Sequence, residues 1–236
     1  MFETEGLSRT LAERVAATLA EQIAAGELKP GERLIEATMA KSLQVSHGPV
    51  RDALRLLQSA GVVTISAYKG AHVTELSEQE LSELFQVRAA LAGLRARWLA
   101  EDPFRHERIA SLEAPIAELA RLSEQPDPHD QYVSTALEIS RRLTELLSNR
   151  WLRSMMDSLS LQTTRYARLA LSTPAGRRKS ARRWRELLEL IRAGKAEQAQ
   201  ELATRISMAT HAAAAKAVRA RRRPSADASG AAAPDR

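Results

Sequence analysis

The chain contains no cysteine in 236 residues. That excludes disulfides, thiolate metal sites and a cysteine nucleophile, and it fits a reducing compartment. Aromatic residues make up only 4%, so any core has to be built from Leu, Ala, Val and Ile. No apolar run approaches the ~18 residues that cross a bilayer. The opening residues, MFETEGLSRT, are polar and acidic and lack the basic stretch and apolar run of a signal peptide. There is no Gly-rich phosphate loop, no HExxH and no GxSxG. Carboxylates are plentiful, but helix surfaces account for them. These absences predict a cytoplasmic protein that is not an enzyme and has no membrane partner.

What is present favours helix. Hydrophobic residues reach 44%, and Ala, Leu, Glu, Arg and Gln, all good helix formers, dominate. The fold class expected is mostly α. The net charge is +6, which draws a protein towards polyanions. Much of that charge lies late, in Arg177–Arg185 and Lys216–Arg223, while residues 1–75 are nearly balanced. The placement of charge therefore matters more than its sum.

The stretch from Gly31 to Val73 is the most informative. Before it, Ser8 can cap a helix with an apolar stripe at Leu11, Val15, Leu19 and Ile23, stopped by Gly26. Lys29-Pro30-Gly31 is a turn. A short helix from about Glu36 to Ser42 follows, with Met39 and Leu43 inward and Gln44-Val45 as the next turn. Ser46 then caps a second helix with Pro49 in its first turn, where a missing N–H costs little. Val50, Leu54 and Leu57 share one face, and His47, Arg51, Arg55 and Gln58 another. Gly61 ends it. Val62–Ile65 and Ala71–Val73 read as strands around a turn at Tyr68-Lys69-Gly70. The pattern is an N-terminal winged helix-turn-helix, a double-stranded DNA reader.

In such a reader the start of the second helix points at base edges. Arg51 suits a bidentate contact with guanine, worth on the order of ten- to hundredfold in discrimination. Gly48 lets backbone approach the duplex. Ser46 and the free N–H groups of the helix start suit a phosphate. His47 and Arg55 share the outward face, and Lys69 and Gly70 at the wing tip suit the flanking backbone. The alternative is that Arg51 is half of a surface ion pair and the wing an ordinary hairpin.

Beyond a linker at 76–80, a helical stripe runs over Leu81, Leu84, Phe85, Leu91, Trp98 and Leu99 until Pro103. Further helices are expected over Glu107–Leu122, bent near Pro115, then Tyr132–Leu147, Arg150–Leu171, Arg178–Ala193 and Ala196–Val218. That makes a C-terminal all-helical bundle of about six helices over residues 81–218. A basic, Ala-rich tail at 219–236 is expected to be disordered. The reader itself is placed at 8–75.

The motif G-x-L-x-P-G-x-x-L is supplied by Gly26, Leu28, Pro30, Gly31 and Leu34. V-S-x-x-P-V-R-[DE]-A-L-x-x-L is supplied by Val45, Ser46, Pro49, Val50, Arg51, Asp52, Ala53, Leu54 and Leu57, with Gly61 and Gly70 beyond. Together these resemble the GntR family of bacterial transcription regulators. The helical part, opening on L-x-E-L-F-Q-V-R-A-A-L, resembles the FadR-type subgroup and its FCD effector domain. The resemblance implies a homodimer on an imperfectly palindromic operator, probe helices one DNA turn apart, and a small-molecule metabolite effector, commonly a carboxylic acid, in the bundle. It also implies repression relieved by that effector and a nucleoid-associated protein. The other reading is an architectural DNA-binding protein that ignores metabolites.

Three departures stand out. The family usually has Arg after the Ser, where this chain has His47. It often has a basic residue in the preceding helix, where this chain has Ala37 or Thr38. And FCD domains commonly hold a divalent metal on one Asp and three His. Anchoring on Ser148–Leu152 and Ile191–Gly194 puts those ligands at Ala136, Ser140, Trp184 and Ile206, none of which binds a metal. His129-Asp130 is at most a partial substitute, and His211 reads as a solvated position near a helix end. No metal and no cofactor is expected.

An acid effector then needs another cation. Arg88 and Arg95 fall on the apolar stripe at i and i+7. Each either meets an effector carboxylate, pairs with Glu138 or Glu145, or snorkels to the rim. The run at Arg177–Arg185 reads as a solvated face, with a secondary DNA contact as the alternative.

Overall fold

The computed structural model describes residues 10–222. Helix α1 (Leu11–Ala25) is capped by Thr10, whose hydroxyl accepts from the Glu13 amide while the Glu13 carboxylate accepts from the Thr10 amide. Such a reciprocal cap satisfies two of the helix's orphan donors. Ser8, the cap expected from sequence, lies outside the described residues; Thr10 takes that role instead. Gly26 ends α1 at φ 85°, a conformation glycine adopts without a Cβ clash.

Strand β1 (Arg33–Leu34), helices α2 (Glu36–Leu43) and α3 (His47–Ser59), and strands β2 (Val63–Ser66) and β3 (Gly70–Val73) complete the N-terminal unit. The sheet order is β1-β3-β2, all antiparallel, with Ala71 opposite both Leu34 and Ile65. Only two residues long, β1 carries no alternation to read in the sequence. Val15, Leu19 and Ile23 of α1 pack on Val50, Leu54 and Leu57 of α3, with Val62, Val63 and Val73 closing the floor. Leu19 and Val50 are fully buried. This core fixes α3 through one face and leaves the other to solvent.

The bundle is built from α4 (Glu78–Glu101), α5 (Arg105–Ile109), a 3-10 turn (Ala110–Leu112), α6 (Glu113–Ser123), α7 (His129–Glu145), α8 (Arg150–Ala170), α9 (Pro174–Arg192) and α10 (Ala196–Arg222). The 3-10 turn supplies the break expected near Pro115. The bundle core runs from Leu99 and Leu112 through Tyr132 and Ile139 to Leu187 and Ile191. Helix α4 lies along α10, and the contact line is small: Ala89, Ala92, Gly93 and Ala96 are buried, while Leu84, Leu91 and Trp98 are only half-buried. A Cβ on Gly93 would sit 2.5 Å from Thr204 Oγ1 and 3.1 Å from the Gln200 carbonyl oxygen, so the two helices approach closely because this position has no side chain.

Three sequence expectations change. The helix α10 continues to Arg222 and its Arg219 pairs with Glu78 of α4 at 2.7 Å, so the segment from 219 starts as helix, and the remainder of the expected tail lies outside the described residues. Arg177 is buried, not solvated: its guanidinium donates to the Leu171 and Ser172 carbonyls at the end of α8. His211 is half-buried with its ring 5.6 Å from Phe85, because α10 runs on past it along α4. Among the described residues no helix is long and apolar enough to cross a membrane.

The two units touch through α8. Arg165 Nη1 donates to the Thr74 carbonyl at 2.9 Å and its Nη2 to the Tyr166 hydroxyl at 2.7 Å. Tyr166 packs edge-on against Phe85 of α4, and Leu76 of the linker joins this cluster. The same helix α10 that carries His211 here carries Thr210 just before it and Ser207 one turn earlier, both at a cavity described below.

Candidate nucleic-acid interface and candidate effector cavity

Helices α2 and α3 meet at a turn in which Gln44 has φ 54°, the one non-glycine residue with positive φ among those described. The Val45 amide donates back to the Ala40 carbonyl at 3.0 Å, which closes α2 and sets the angle of α3. Ser46 stands at the N-cap position in an extended conformation, but its side chain makes no cap hydrogen bond. This corrects the expectation of a capping hydroxyl and leaves the hydroxyl and the first-turn N–H groups able to serve an anion.

Ser46, His47, Gly48, Arg51 and Arg55 are all exposed on one side of α3. Arg51 is not a free cation. Its Nε and Nη2 donate to the Glu36 carboxylate at 3.2 and 3.0 Å, with 57% of the Arg51 side chain still exposed. This hydrogen bond holds the Glu36 carboxyl below the usual carboxylate range. Glu36 grips the Nε–Nη2 side of the guanidinium, so the Nη1 end remains open for a second partner. Arg55 lies 3.8 Å from Asp52, both well exposed, a pair that water screens almost fully.

At the wing, Lys69 is exposed and Tyr68 is 99% exposed. Gly70 takes φ 75°, which turns the hairpin, and the Arg33 guanidinium lies beneath it. The reader therefore presents the start of α3 and the wing tip with Arg33 below it. Glu36 and Arg33 were missed from sequence. Glu36 is fifteen residues from Arg51, and only the turn at Gln44 brings them together.

In the bundle, Arg88 and Arg95 line one cavity together with Ala136, Ser140, Trp184 and Ile206. The positions to which the sequence comparison assigned the family's metal ligands therefore converge on one place. Their side chains do not fit a divalent metal: the lining holds no histidine and no carboxylate, and two guanidinium groups would repel a cation. No group of three or more His, Cys, Asp or Glu suited to a metal exists among the described residues. The His129-Asp130 pair is otherwise engaged, His129 on the Leu171 carbonyl and Asp130 on Arg168.

Arg95 is 97% buried by its 3% exposure, and its Nη1 donates to the Ser140 carbonyl at 2.8 Å and to Thr144 Oγ1 at 2.7 Å. Arg88 is half-buried and has one long contact, Nη1 to Ser207 Oγ at 3.4 Å. The Nε of each is shielded from solvent and has no partner. Neither meets a carboxylate among the described residues. Glu138 binds Arg141 and Arg142 instead, and Glu145 binds Arg141. Burial pulls the Arg88 guanidinium down to about 10. Burial, then repulsion from Arg88, pulls Arg95 down to about 9. Both remain charged at neutral pH, so the cavity holds two positive charges with no carboxylate in its lining among the described residues.

Residues 11–73 match the family described as bacterial regulatory proteins, gntR family, and residues 83–209 match the FCD domain. The chain is 30% identical over 165 residues to the HTH-type transcriptional regulator BphR of Paraburkholderia xenovorans (strain LB400), covering 68% of this chain and 67% of that one. It is 27% identical over 142 residues to the HTH-type transcriptional regulator YdhC of Bacillus subtilis (strain 168), covering 60% of this chain and 63% of that one. The match thus spans somewhat under two thirds of the YdhC length. Escherichia coli McbR/YncC has the same fold, with a TM-score of 0.76 at 22% identity, over 89% of this chain and 99% of that one.

Proposed function

Because the chain belongs to the gntR family of bacterial regulatory proteins, with an FCD domain behind its reader, we propose that it is a sequence-specific DNA-binding transcription regulator that acts as a repressor. The family is one of regulators, not of enzymes. The observation that carries the reading is the exposed face of α3. Ser46, His47, Gly48 and Arg51 project together while Val50, Leu54 and Leu57 anchor the opposite face.

The chain acts as a homodimer on a palindromic operator, with the two α3 helices about 34 Å apart, one turn of B-DNA. Arg51 reads guanine through its open Nη1 end, with Glu36 fixing the fork. Ser46 and the α3 N-terminus take a phosphate, and His47, Gly48, Arg55, Lys69 and Gly70 complete the contact surface. A small carboxylate metabolite occupies the cavity at Arg88 and Arg95 and weakens DNA binding. Such coupling between sites is typically 1–3 kcal/mol. Its physical route runs from Ser207 and Thr210 along α10 to Phe85 and Tyr166, and through Arg165 to Thr74 beside the wing.

Selection of bound sequences from a random duplex pool tests the reading. An inverted repeat with half-sites one turn apart supports it. A pool that stays random after repeated rounds would point to an architectural DNA binder.

A further inference from the structure

We propose that the cavity at Arg88 and Arg95 is built for a short dicarboxylate, one carboxylate to each guanidinium. The inference rests on the reading of this cavity as the effector site and narrows its ligand. Two cations line one space that holds no carboxylate among the described residues. A single carboxylate placed on one leaves the other, buried Arg95 or half-buried Arg88, without an anionic partner, which is the costly arrangement for a charge shielded from water. Two negative charges on one molecule settle both.

The placement favours two separated carboxylates over one concentrated anion. Arg88 and Arg95 are rooted seven residues apart on α4, two turns, so their backbone positions lie roughly 10 Å apart along the axis while both side chains reach the same cavity. All of Arg95's hydrogen bonds leave from Nη1, and Arg88 makes only the long contact to Ser207. Each guanidinium therefore keeps donors for a ligand. The lining also includes apolar Ala92, Leu137 and Leu187, which suit a carbon chain. The cavity volume is about 90 Å³. A water needs ~10–15 Å³ of such space, so the site takes a molecule of several heavy atoms. The hydroxyls of Ser140, Ser207 and Thr210 remain for a substituent on the chain.

The test uses the full chain at fixed ionic strength, with malonate, succinate, glutarate, butyrate and inorganic phosphate as probes. Thermal unfolding and titration calorimetry read binding. At least one dicarboxylate should bind tenfold or more tighter than butyrate, the loss expected when a charged hydrogen-bonding group is removed from the ligand. Arg88→Met should unfold at or above the wild-type temperature without ligand, since a half-buried charge that meets no carboxylate has gone, and should bind succinate no better than butyrate. Butyrate equal to the dicarboxylates, or phosphate tighter than all of them, overturns the dicarboxylate assignment and leaves an anion site standing. If no acid binds the wild type, or Arg88→Met keeps full dicarboxylate binding, the effector reading of these arginines falls as well.

Discussion

Replacing Arg51 should cost operator discrimination and leave the fold intact. In the free protein its pair with Glu36 is solvated, the two side chains 57% and 35% exposed, and such pairs add little to stability. Thermal unfolding of Arg51→Ala should therefore match the wild type. On the operator, a bidentate arginine–guanine contact carries on the order of ten- to hundredfold discrimination. Glu36 engages Nε and Nη2, which orients the fork without using its Nη1 end. Arg51→Ala should thus lose that factor on the operator and almost none on scrambled duplex. Arg51→Lys, which keeps charge but not the fork, should behave like Arg51→Ala on the operator. Glu36→Gln should weaken discrimination a few-fold, since the fork is no longer held. Fluorescence anisotropy over a salt series separates the possibilities. Equal loss on both duplexes, with the log–log salt slope shallower by about one, would make Arg51 a phosphate contact and refute the base-reading assignment. No change on either duplex would remove α3 from the interface.

Three further predictions concern the frame. Gly93→Val should destabilise the protein by about 1–3 kcal/mol, as overpacking does, because the new Cβ meets Thr204 and the Gln200 backbone; unchanged unfolding would mean that α4 and α10 have room between them. Arg165→Met should free the linker from α8 by removing the bond to the Thr74 carbonyl, and hydrogen exchange at Thr74–Leu76 should quicken roughly tenfold while operator affinity persists. Glu138 is held down to about 2, from an ordinary 4.5, first by hydrogen bonds from Arg141 and then from Arg142. A carboxylate depressed in the folded state stabilises above its unfolded value and loses that as pH falls, so Glu138→Gln should flatten the acid limb of the stability curve between pH about 4.5 and about 2, by less than ~1 kcal/mol for so exposed a cluster.

The sequence made legible what repeats with a period. Val50, Leu54 and Leu57 against Arg51 and Arg55 defined both faces of α3, and the stripe at Leu81, Phe85 and Leu99 defined α4. Partners distant along the chain left no such trace. Glu36 reaches Arg51 only through the turn at Gln44. The α4–α10 seam was hidden because Ala92, Gly93 and Ala96 are small, and periodicity counts large apolar residues. Arg177 looked solvated in a run of basic residues, yet it closes the end of α8. Arg88 and Arg95 were visible as charges on an apolar stripe, but that they lack carboxylates emerges only because Glu138 and Glu145 turn to Arg141.

Sequence-specific reading by α3 and its wing has one decisive test. The most direct measurement is the ratio of affinities of the full chain for a selected operator and for random duplex of equal length, at physiological salt. A ratio of ~10³ or more is expected. A ratio near one, with both affinities falling equally as salt rises, would contradict it.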